Sequence, residues 1–367
     1  MTRVLVSPSK YIQGAGEIQR ISKHIAHLGG PVLFVMGGHA YADLRPVIED
    51  SFRKSGTPVV FEKFAGECTR PEIDRLREVY RKNRCSVVAG AGGGKALDTA
   101  KGVSFFEKAP VVTVPTIAST DAPTSAIAVT YTTGHVFAGN LLLPKNPEAV
   151  IADTEVIMRA PVRLLVAGMG DALSTYFEAR ANAAAGHDNF AGGKQTGTSL
   201  ALARLCYDIL LRDGIAAKEG AENQTLTPAL ENLIEANIYL SGVGFESNGI
   251  ACAHSVYNAI TAIPACRHMY HGELVAFGTL VQLMLEGAPD REIDEVLRFC
   301  DSVGLPVTFA GISKSPLTRD DLMNVATTAT GPANFMDSMP FAVTPQMALD
   351  ALLAADARGK EFLAAKE

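Results

Sequence analysis

Residues 88–101 have the sequence VAGAGGGKALDTAK. A short apolar run enters a cluster of glycines and a helical pattern of apolar residues leaves it, which predicts a strand, a tight turn and a helix. Glycine lets another molecule approach the backbone closely, and a helix N-terminus offers unpaired N–H groups with a partial positive charge. The stretch therefore predicts a phosphate site, although its spacing matches neither common phosphate motif. The alternative is an ordinary βα turn that needs glycine only for its geometry.

The segments on either side of this turn alternate between predicted strands and helices. Continuous apolar runs predict strands at 32–36, 59–61, 110–114 and 149–152. Helical patterns lie at 18–28 and 47–54, and another helix opens at Pro71. This alternation predicts a Rossmann-like parallel sheet covered by helices. Ligands of such sheets bind beyond the carboxyl ends of the strands, which here are Gly37, Gly92 and Thr116.

A polar loop, residues 116–125, follows the strand that ends at Pro115 and carries Asp121. Since the sheet topology brings this loop near the phosphate site, Asp121 is placed to orient a substrate hydroxyl, or else merely caps the next segment. Beyond the loop, residues 127–131 and Val136 onward predict a β-hairpin around Thr133-Gly134.

The pattern becomes almost wholly helical after Pro161. The chain has 367 residues, a length that suggests about two domains. We therefore predict an α/β domain over residues 1–160 and an all-helical domain over residues 161–367. The predicted helical stretches are 162–186, 195–212, 226–262, 271–286, 290–302 and 344–365.

The composition narrows the class of protein. Its net charge is −6 and it has no long basic run, which argues against a nucleic-acid partner. No apolar run approaches the ~18 residues of a membrane span, and residues 1–10 lack the apolar core of a signal peptide. The six cysteines are scattered, a pattern typical of reduced thiols in the cytoplasm.

Three polar side chains stand out within the apolar helices: Asp171, His254 and His271. One carboxylate and two imidazoles form a plausible site for a divalent metal with a position left for substrate. Each residue also has a simpler interpretation: a helix N-cap, a hydrogen-bonded core histidine and a surface histidine. His268 is an alternative ligand, and Glu178 lies on the same helix face as Asp171, where it could support a ligand from behind.

These observations leave two classes of function. The first is a nucleotide-dependent enzyme that holds a metal ion. The second is a regulatory protein that binds a nucleotide or a metal without chemistry. Binding of NADH and of metal would separate the two.

Several motifs occur in a fixed order along nearly the whole chain. They are GGGKxxDxAK at 92–101, PTxxSTDAP at 115–123, GDA at 170–172, AH at 253–254 and HGE at 271–273. With these motifs the sequence resembles the metal-dependent polyol dehydrogenases related to iron-containing alcohol dehydrogenases and dehydroquinate synthase.

The resemblance implies cytoplasmic oxidation of a polyol by NAD(P). Glycerol, giving dihydroxyacetone, is the first expectation; the alternatives are 1,2-propanediol or another vicinal diol, and a hydroxy acid. It implies zinc, or sometimes iron, on Asp171, His254 and His271, with Asp121 holding a substrate hydroxyl. The family commonly forms octamers.

The resemblance also implies where the cofactor binds. Gly93, Gly94 and Lys95 would lie under the pyrophosphate. The nicotinamide half would be lined by Asp98, Thr116, Ser119, Ser125, Ile127 and Tyr131.

The sequence departs from the family in four places. Gly37 stands where relatives usually carry an aspartate that contacts the adenosine ribose, so NADP is possible beside NAD. Tyr257 and Arg267 replace common histidines near the ligands, and residues 334–340 lack a usual Ile-His-Asn segment. The last three departures leave the metal ligands intact and bear on substrate preference.

Overall fold

The computed structural model describes residues 1–134 and 137–366. The strands are β1 Tyr11–Gly14, β2 Val32–Met36, β3 Val59–Lys63, β4 Val87–Gly92, β5 Val111–Pro115, β6 Ile127–Tyr131, β7 Phe137–Leu142 and β8 Ala149–Asp153. The α-helices are α1 Ile21–Ile25, α2 Gly38–Asp43, α3 Arg45–Ser55, α4 Arg70–Lys82, α5 Gly94–Glu107, α6 Thr154–Met158, α7 Val162–Ala185, α8 Gly197–Glu222, α9 Pro228–Glu235, α10 Ser241–Asn248, α11 Cys252–Ile260, α12 His271–Glu286, α13 Asp290–Val303, α14 Phe309–Ile312, α15 Arg319–Ala329 and α16 Pro345–Ala364. A π-helical segment, Ala236–Leu240, joins α9 to α10, and short 3₁₀ turns cover Glu17–Arg20, Ala26–Leu28, Pro264–Cys266 and Met336–Ser338.

The predicted parallel sheet is confirmed. Within the described part of the chain it has six strands in the order β1-β8-β5-β4-β2-β3, all parallel. Every residue of β2 is buried, because helices cover both faces of such a sheet. Phe34 and Met36 pack into the core on one face, whereas Leu33 and Val35 pack into the core on the other. A continuous apolar run is therefore the expected signature of this strand.

The two glycine turns lie side by side at the carboxyl edge of the sheet. From β2 the chain passes to β3 on one side, and β4 then pairs with β2 on the other. The N–H of Gly37 donates to the carbonyl of Ala91 at 2.9 Å. Gly92 has a φ of +151°, and a Cβ built on it would lie 3.3 Å from the nitrogen of Gly37. Such a reversal of strand order is where ligands bind in open α/β sheets.

The hairpin prediction is met by β6 and β7, which pair antiparallel. The described part of β7 begins at Phe137. Val136, where the sequence placed the start of the second strand, lies outside the described residues.

The helical prediction differs in one long stretch. Residues 226–262 form four segments rather than one helix. Gly249 has a φ of +95°, and a Cβ on it would lie 1.7 Å from the side-chain nitrogen of Asn182, so the chain turns there between α10 and α11. Helices α2, α6, α14 and α15 were not predicted from the sequence.

The chain forms two compact units. The sheet unit comprises Ser7–Pro161 and Gly220–Gly242, and the helical unit comprises Met1–Val6, Val162–Glu219 and Val243–Glu367. This division differs from the predicted 1–160 and 161–367 in two segments. Residues 220–242 join the sheet unit, where Asn237 donates to the carbonyl of Ala118 at 3.0 Å. Residues 1–6 join the helical unit through backbone hydrogen bonds to Lys194. These long-range contacts leave no local signal in sequence.

All six cysteines are free and buried. None of the helices in the described ranges is both long and apolar enough to cross a bilayer.

Candidate metal centre and cofactor site

Three helices of the helical unit bring together one carboxylate and two imidazoles. Asp171 lies in α7, His254 in α11 and His271 at the start of α12. The Oδ1 atom of Asp171 is 2.9 Å from Nε2 of His271 and 3.6 Å from Nε2 of His254. One ligand atom from each residue lies within 4.8 Å of the others. Such a nitrogen and oxygen donor set suits zinc, and imidazole with carboxylate also suits iron.

Glycines allow these helices to approach closely enough. A Cβ on Gly170 would lie 2.2 Å from the carbonyl oxygen of Gly272, and a Cβ on Gly272 would lie 1.8 Å from that of Ala167. A Cβ on Gly278 would lie 2.4 Å from the carbonyl oxygen of Ala253. Each crossing is next to a metal-ligand candidate or on the helix that carries one. Backbone-to-backbone packing therefore sets the distances between the three candidate ligands.

Glu178 supports His254 from behind, as its position on the same helix face as Asp171 suggested. Its Oε2 is 2.6 Å from Nδ1 of His254, and its Oε1 accepts the backbone N–H groups of Ala251 and His254 at 2.8 and 2.9 Å. Because Nδ1 is engaged with Glu178, Nε2 is the nitrogen that faces Asp171. A carboxylate behind a ligating histidine orients the ring and increases its basicity.

The electrostatic interactions within the cluster favour the charged forms of His254 and Asp171. Burial acts to lower the pKa of His254, but the negative charge of Glu178 and the bond to Asp171 more than offset it, so the pKa is raised well above its usual value. Burial acts to raise the pKa of Asp171, whereas His271 and His254 together hold it below its usual range. Asp171 is therefore ionised at neutral pH and presents a charged oxygen.

Two other residues that the sequence analysis singled out, His268 and Tyr257, lie outside the cluster or at its border. His268 is exposed and lies outside the group that the described residues form; its carbonyl accepts from Arg163. The ring of Tyr257 packs edge-on against His271, with centroids 4.2 Å apart. Tyr257 thus borders the cluster, at the position where the resemblance led us to expect a histidine.

In the sheet unit, the glycine turn adjoins the loop that follows β5. Gly93 precedes α5, a helix of 14 residues, and no side chain in the described ranges caps that end. A Cβ on Gly93 would lie 2.9 Å from Cδ1 of Ile117, and one on Gly94 would lie 3.4 Å from Oγ1 of Thr120. The N–H of Thr116 donates to the carbonyl of Gly92 at 3.1 Å. The predicted proximity of the polar loop to the glycine turn is therefore observed.

Lys95 has a partner that the sequence did not suggest. Its Nζ is 2.7 Å from Oε2 of Glu67 and 5.2 Å from the centre of the Tyr131 ring. Burial raises the pKa of Tyr131 to about 12, so its phenol stays neutral. The lysine remains half exposed beside the glycine turn.

A buried lysine organises several of the predicted cofactor residues. Lys101 is fully buried, and its Nζ donates to Asp98 at 3.3 Å, to the Ser125 hydroxyl at 3.3 Å and to the carbonyl of Ile127 at 2.8 Å. Asp98 and Ser125 thus have internal partners, whereas Ser119 is half-buried in the loop. Lys101 was visible in the GGGKxxDxAK motif, but a lysine gives no local sign that it is buried.

The end of β2 carries no carboxylate. A Cβ on Gly37 would make only ordinary contacts, the nearest 3.7 Å from Cα of Gly92, and one on Gly38 would lie 3.7 Å from Cε of Lys63. Lys63 ends the neighbouring strand β3, opposite Met36. Sequence analysis missed this cation, because parallel pairing rather than sequence proximity brings it to Gly38.

Comparisons with known proteins identify relatives over nearly the whole chain. Residues 8–154 match the family described as iron-containing alcohol dehydrogenase. The chain is similar to a glycerol dehydrogenase of Escherichia coli O6:H1 (strain CFT073), at 48% identity over 99% of each chain. One from Pseudomonas putida is 46% identical over 99% of this chain and 100% of the relative. The crystal structure of a probable glycerol dehydrogenase from Sinorhizobium meliloti 1021 aligns with a TM-score of 0.93 and 43% identity, covering 98% of this chain and 100% of that chain.

Proposed function

The chain belongs to the iron-containing alcohol dehydrogenase family and is an oxidoreductase, and on this premise we propose that it reversibly oxidises glycerol to dihydroxyacetone with a nicotinamide cofactor and a bound metal. The observation that carries the proposal is the group of Asp171, His254 and His271, supported by buried Glu178. Full-length relatives named glycerol dehydrogenases favour glycerol among polyols. Family membership also argues against a regulatory protein without chemistry.

The metal is proposed to be zinc, with iron as the second candidate, held by Asp171, His254 and His271. When bound, such an ion supplies Lewis acidity that lowers the pKa of an alcohol hydroxyl. Glu178 keeps the imidazole of His254 oriented through its 2.6 Å contact. Asp121 is assigned to accept a hydrogen bond from a second substrate hydroxyl, which would favour vicinal diols over simple alcohols.

The cofactor is proposed to bind at the carboxyl edge of the sheet, where strand order reverses. Gly93 and Gly94 leave the backbone open for a pyrophosphate, and the start of α5 offers N–H groups and a positive dipole end. Lys95 adds a cation there. The nicotinamide half is assigned to the residues that follow in the loop and in β6: Asp98, Thr116, Ser119, Ser125, Ile127 and Tyr131.

Cofactor choice is proposed to be relaxed. An acidic side chain at a strand end binds the ribose 2′-hydroxyl of NAD and repels the 2′-phosphate of NADP. Gly37 supplies no such charge, and Lys63 lies next to Gly38. Both NAD and NADP are therefore expected to act as cofactors, with NAD used at least as well because no arginine adjoins Gly37 and Gly38 in the sequence.

Steady-state kinetics on the purified, metal-loaded protein test this function. Glycerol, 1,2-propanediol and a 2-hydroxy acid are compared with each cofactor, before and after chelation and after adding back zinc or iron(II). We expect glycerol to have the highest kcat/KM, chelation to abolish the rate and zinc to restore it. A higher kcat/KM for 1,2-propanediol or the hydroxy acid would favour the corresponding alternative, and activity that survives complete metal removal would contradict the metal's role.

Family resemblance extends the proposal to a cytoplasmic octamer. Free, buried cysteines fit a reducing compartment. Light scattering coupled to size-exclusion chromatography measures the assembly: a mass near eight times 38.8 kDa supports the octamer, and a monomer mass contradicts it.

A further inference from the structure

Residues 237–242 hold the polar loop that carries Asp121. Asn237, in the π-helical segment, donates through Nδ2 to the carbonyl of Ala118 at 3.0 Å. Four residues later, the hydroxyl of Ser241 donates to Oδ2 of Asp121 at 2.9 Å. Both donors are buried. The same short stretch of helix therefore contacts the loop at its backbone and at its acidic side chain.

Gly242 explains why the helix can lie so close. A Cβ on Gly242 would lie 1.7 Å from Oγ1 of Thr124 and 2.8 Å from the carbonyl oxygen of Asp121. The hydroxyl of Thr124 also donates to the carbonyl of Ile238 at 3.4 Å. Loop and helix are thus packed backbone against backbone, and the Ser241 hydroxyl has little freedom to move away from the carboxylate.

The chemical consequence concerns the orientation of a carboxylate. An aspartate side chain rotates about two bonds, and a hydrogen bond to an ionised oxygen is roughly twice as strong as one between neutral groups. A donor held in a buried helix therefore selects one orientation of Asp121. A carboxylate so fixed binds a second hydroxyl at a defined place, which a freely rotating one does not.

We infer that Ser241 is a positioning residue that orients Asp121 and thereby sets the preference for vicinal diols over simple alcohols. The inference rests on the proposed function, because it deepens the role given there to Asp121. Ser241 itself is not assigned a contact with substrate. Its contribution is measured as the ratio of the kcat/KM values for two substrates rather than as a single rate.

The experiment compares kcat/KM for glycerol and for 2-propanol in the metal-loaded enzyme. The variants are Ser241→Ala, Ser241→Thr, Asp121→Ala and the double variant of Ser241→Ala with Asp121→Ala. Ser51→Ala is the matched control, since it removes a buried serine hydroxyl of the sheet unit that hydrogen-bonds to Ser22. We expect Ser241→Ala to lower the glycerol to 2-propanol ratio about tenfold.

The other variants separate positioning from general structural damage. Ser241→Thr keeps the hydroxyl and should retain most of the ratio, and Ser51→Ala should leave it unchanged. In the Asp121→Ala background, Ser241→Ala should change the ratio less than twofold. The inference is overturned if Ser241→Ala lowers kcat/KM equally for both substrates, or if its effect on the ratio persists at full size in the Asp121→Ala background.

The same data distinguish failure of the inference from failure of the proposed function. If Asp121→Ala lowers the ratio while Ser241→Ala matches wild type, the diol function stands and Ser241 does not position Asp121. If wild type shows no preference for glycerol, the proposed role of Asp121 and the inference built on it are both wrong.

Discussion

The closest helix crossing at the candidate metal centre offers a direct test of how that centre is built. A Cβ on Gly272 would lie 1.8 Å from the carbonyl oxygen of Ala167 and 2.7 Å from the nitrogen of Asp171. Both neighbours are backbone atoms of α7, so no side-chain rotation can relieve the overlap. Gly272→Ala therefore forces α7 and α12 apart.

The size of the effect follows from these distances. Ordinary contact begins near 3.4 Å, so the helices would have to separate by roughly 1.6 Å, far more than a packed interior absorbs without strain. We expect a loss of about 3 kcal/mol of unfolding free energy, at the upper end for overpacking. The 2.9 Å approach of His271 to Asp171 is lost with the separation, and zinc affinity should fall by on the order of 100-fold.

Two measurements check this prediction. Urea unfolding of the metal-free protein, followed by circular dichroism, measures stability, and competition with a chromophoric chelator measures zinc affinity. Gly197→Ala is the matched control, because a Cβ there meets nothing within 4 Å; its stability should stay within about 0.5 kcal/mol of wild type. The reasoning is refuted if Gly272→Ala unfolds like Gly197→Ala and binds zinc as tightly as wild type.

Three further substitutions test the site residues. His271→Ala should abolish bound metal and nearly all activity while circular dichroism stays unchanged, because this most exposed member of the cluster (28% of its side chain) can be removed with little loss of packing. Asp121→Ala should lower kcat/KM for glycerol by about 100-fold and for 2-propanol much less, since only the diol loses a hydrogen bond to a charged group. Gly37→Asp should lower kcat/KM with NADP at least tenfold and keep or improve it with NAD, because a Cβ at this position makes only ordinary contacts and the new carboxylate repels a 2′-phosphate.

Each of these predictions has a contrary outcome. His268→Ala is the control for the metal ligand, since this exposed histidine lies outside the cluster; equal metal content in both variants would contradict the assignment. Equal losses for glycerol and 2-propanol in Asp121→Ala would argue against its role. Relaxed cofactor choice is wrong if wild type already discriminates against NADP by more than ~1000-fold, about 4 kcal/mol.

Local patterns in the sequence determined most of the sheet unit. A continuous apolar run such as Val32–Met36 predicts a strand that is buried on both faces. The structure has this strand buried at every residue. The glycines at 92–94 predicted a turn, because glycine permits the close approaches to the backbone that the structure has there. Motif order along the chain was enough to indicate the family, and with it the candidate ligands Asp171, His254 and His271.

Only the tertiary structure decided how those residues are held. Glu67 beside Lys95 and Ser241 on Asp121 are contacts between residues far apart in sequence. The sequence suggested that Glu178 supports a ligand, but only the structure showed that this ligand is His254. Such contacts depend on how helices and strands pack, and a single side chain carries no local mark of the partner it will meet. The same reason explains why residues 220–242 belong to the sheet unit. Their sequence predicts a helix but not the unit on which that helix packs, and burial against the loop at 116–125 decides this.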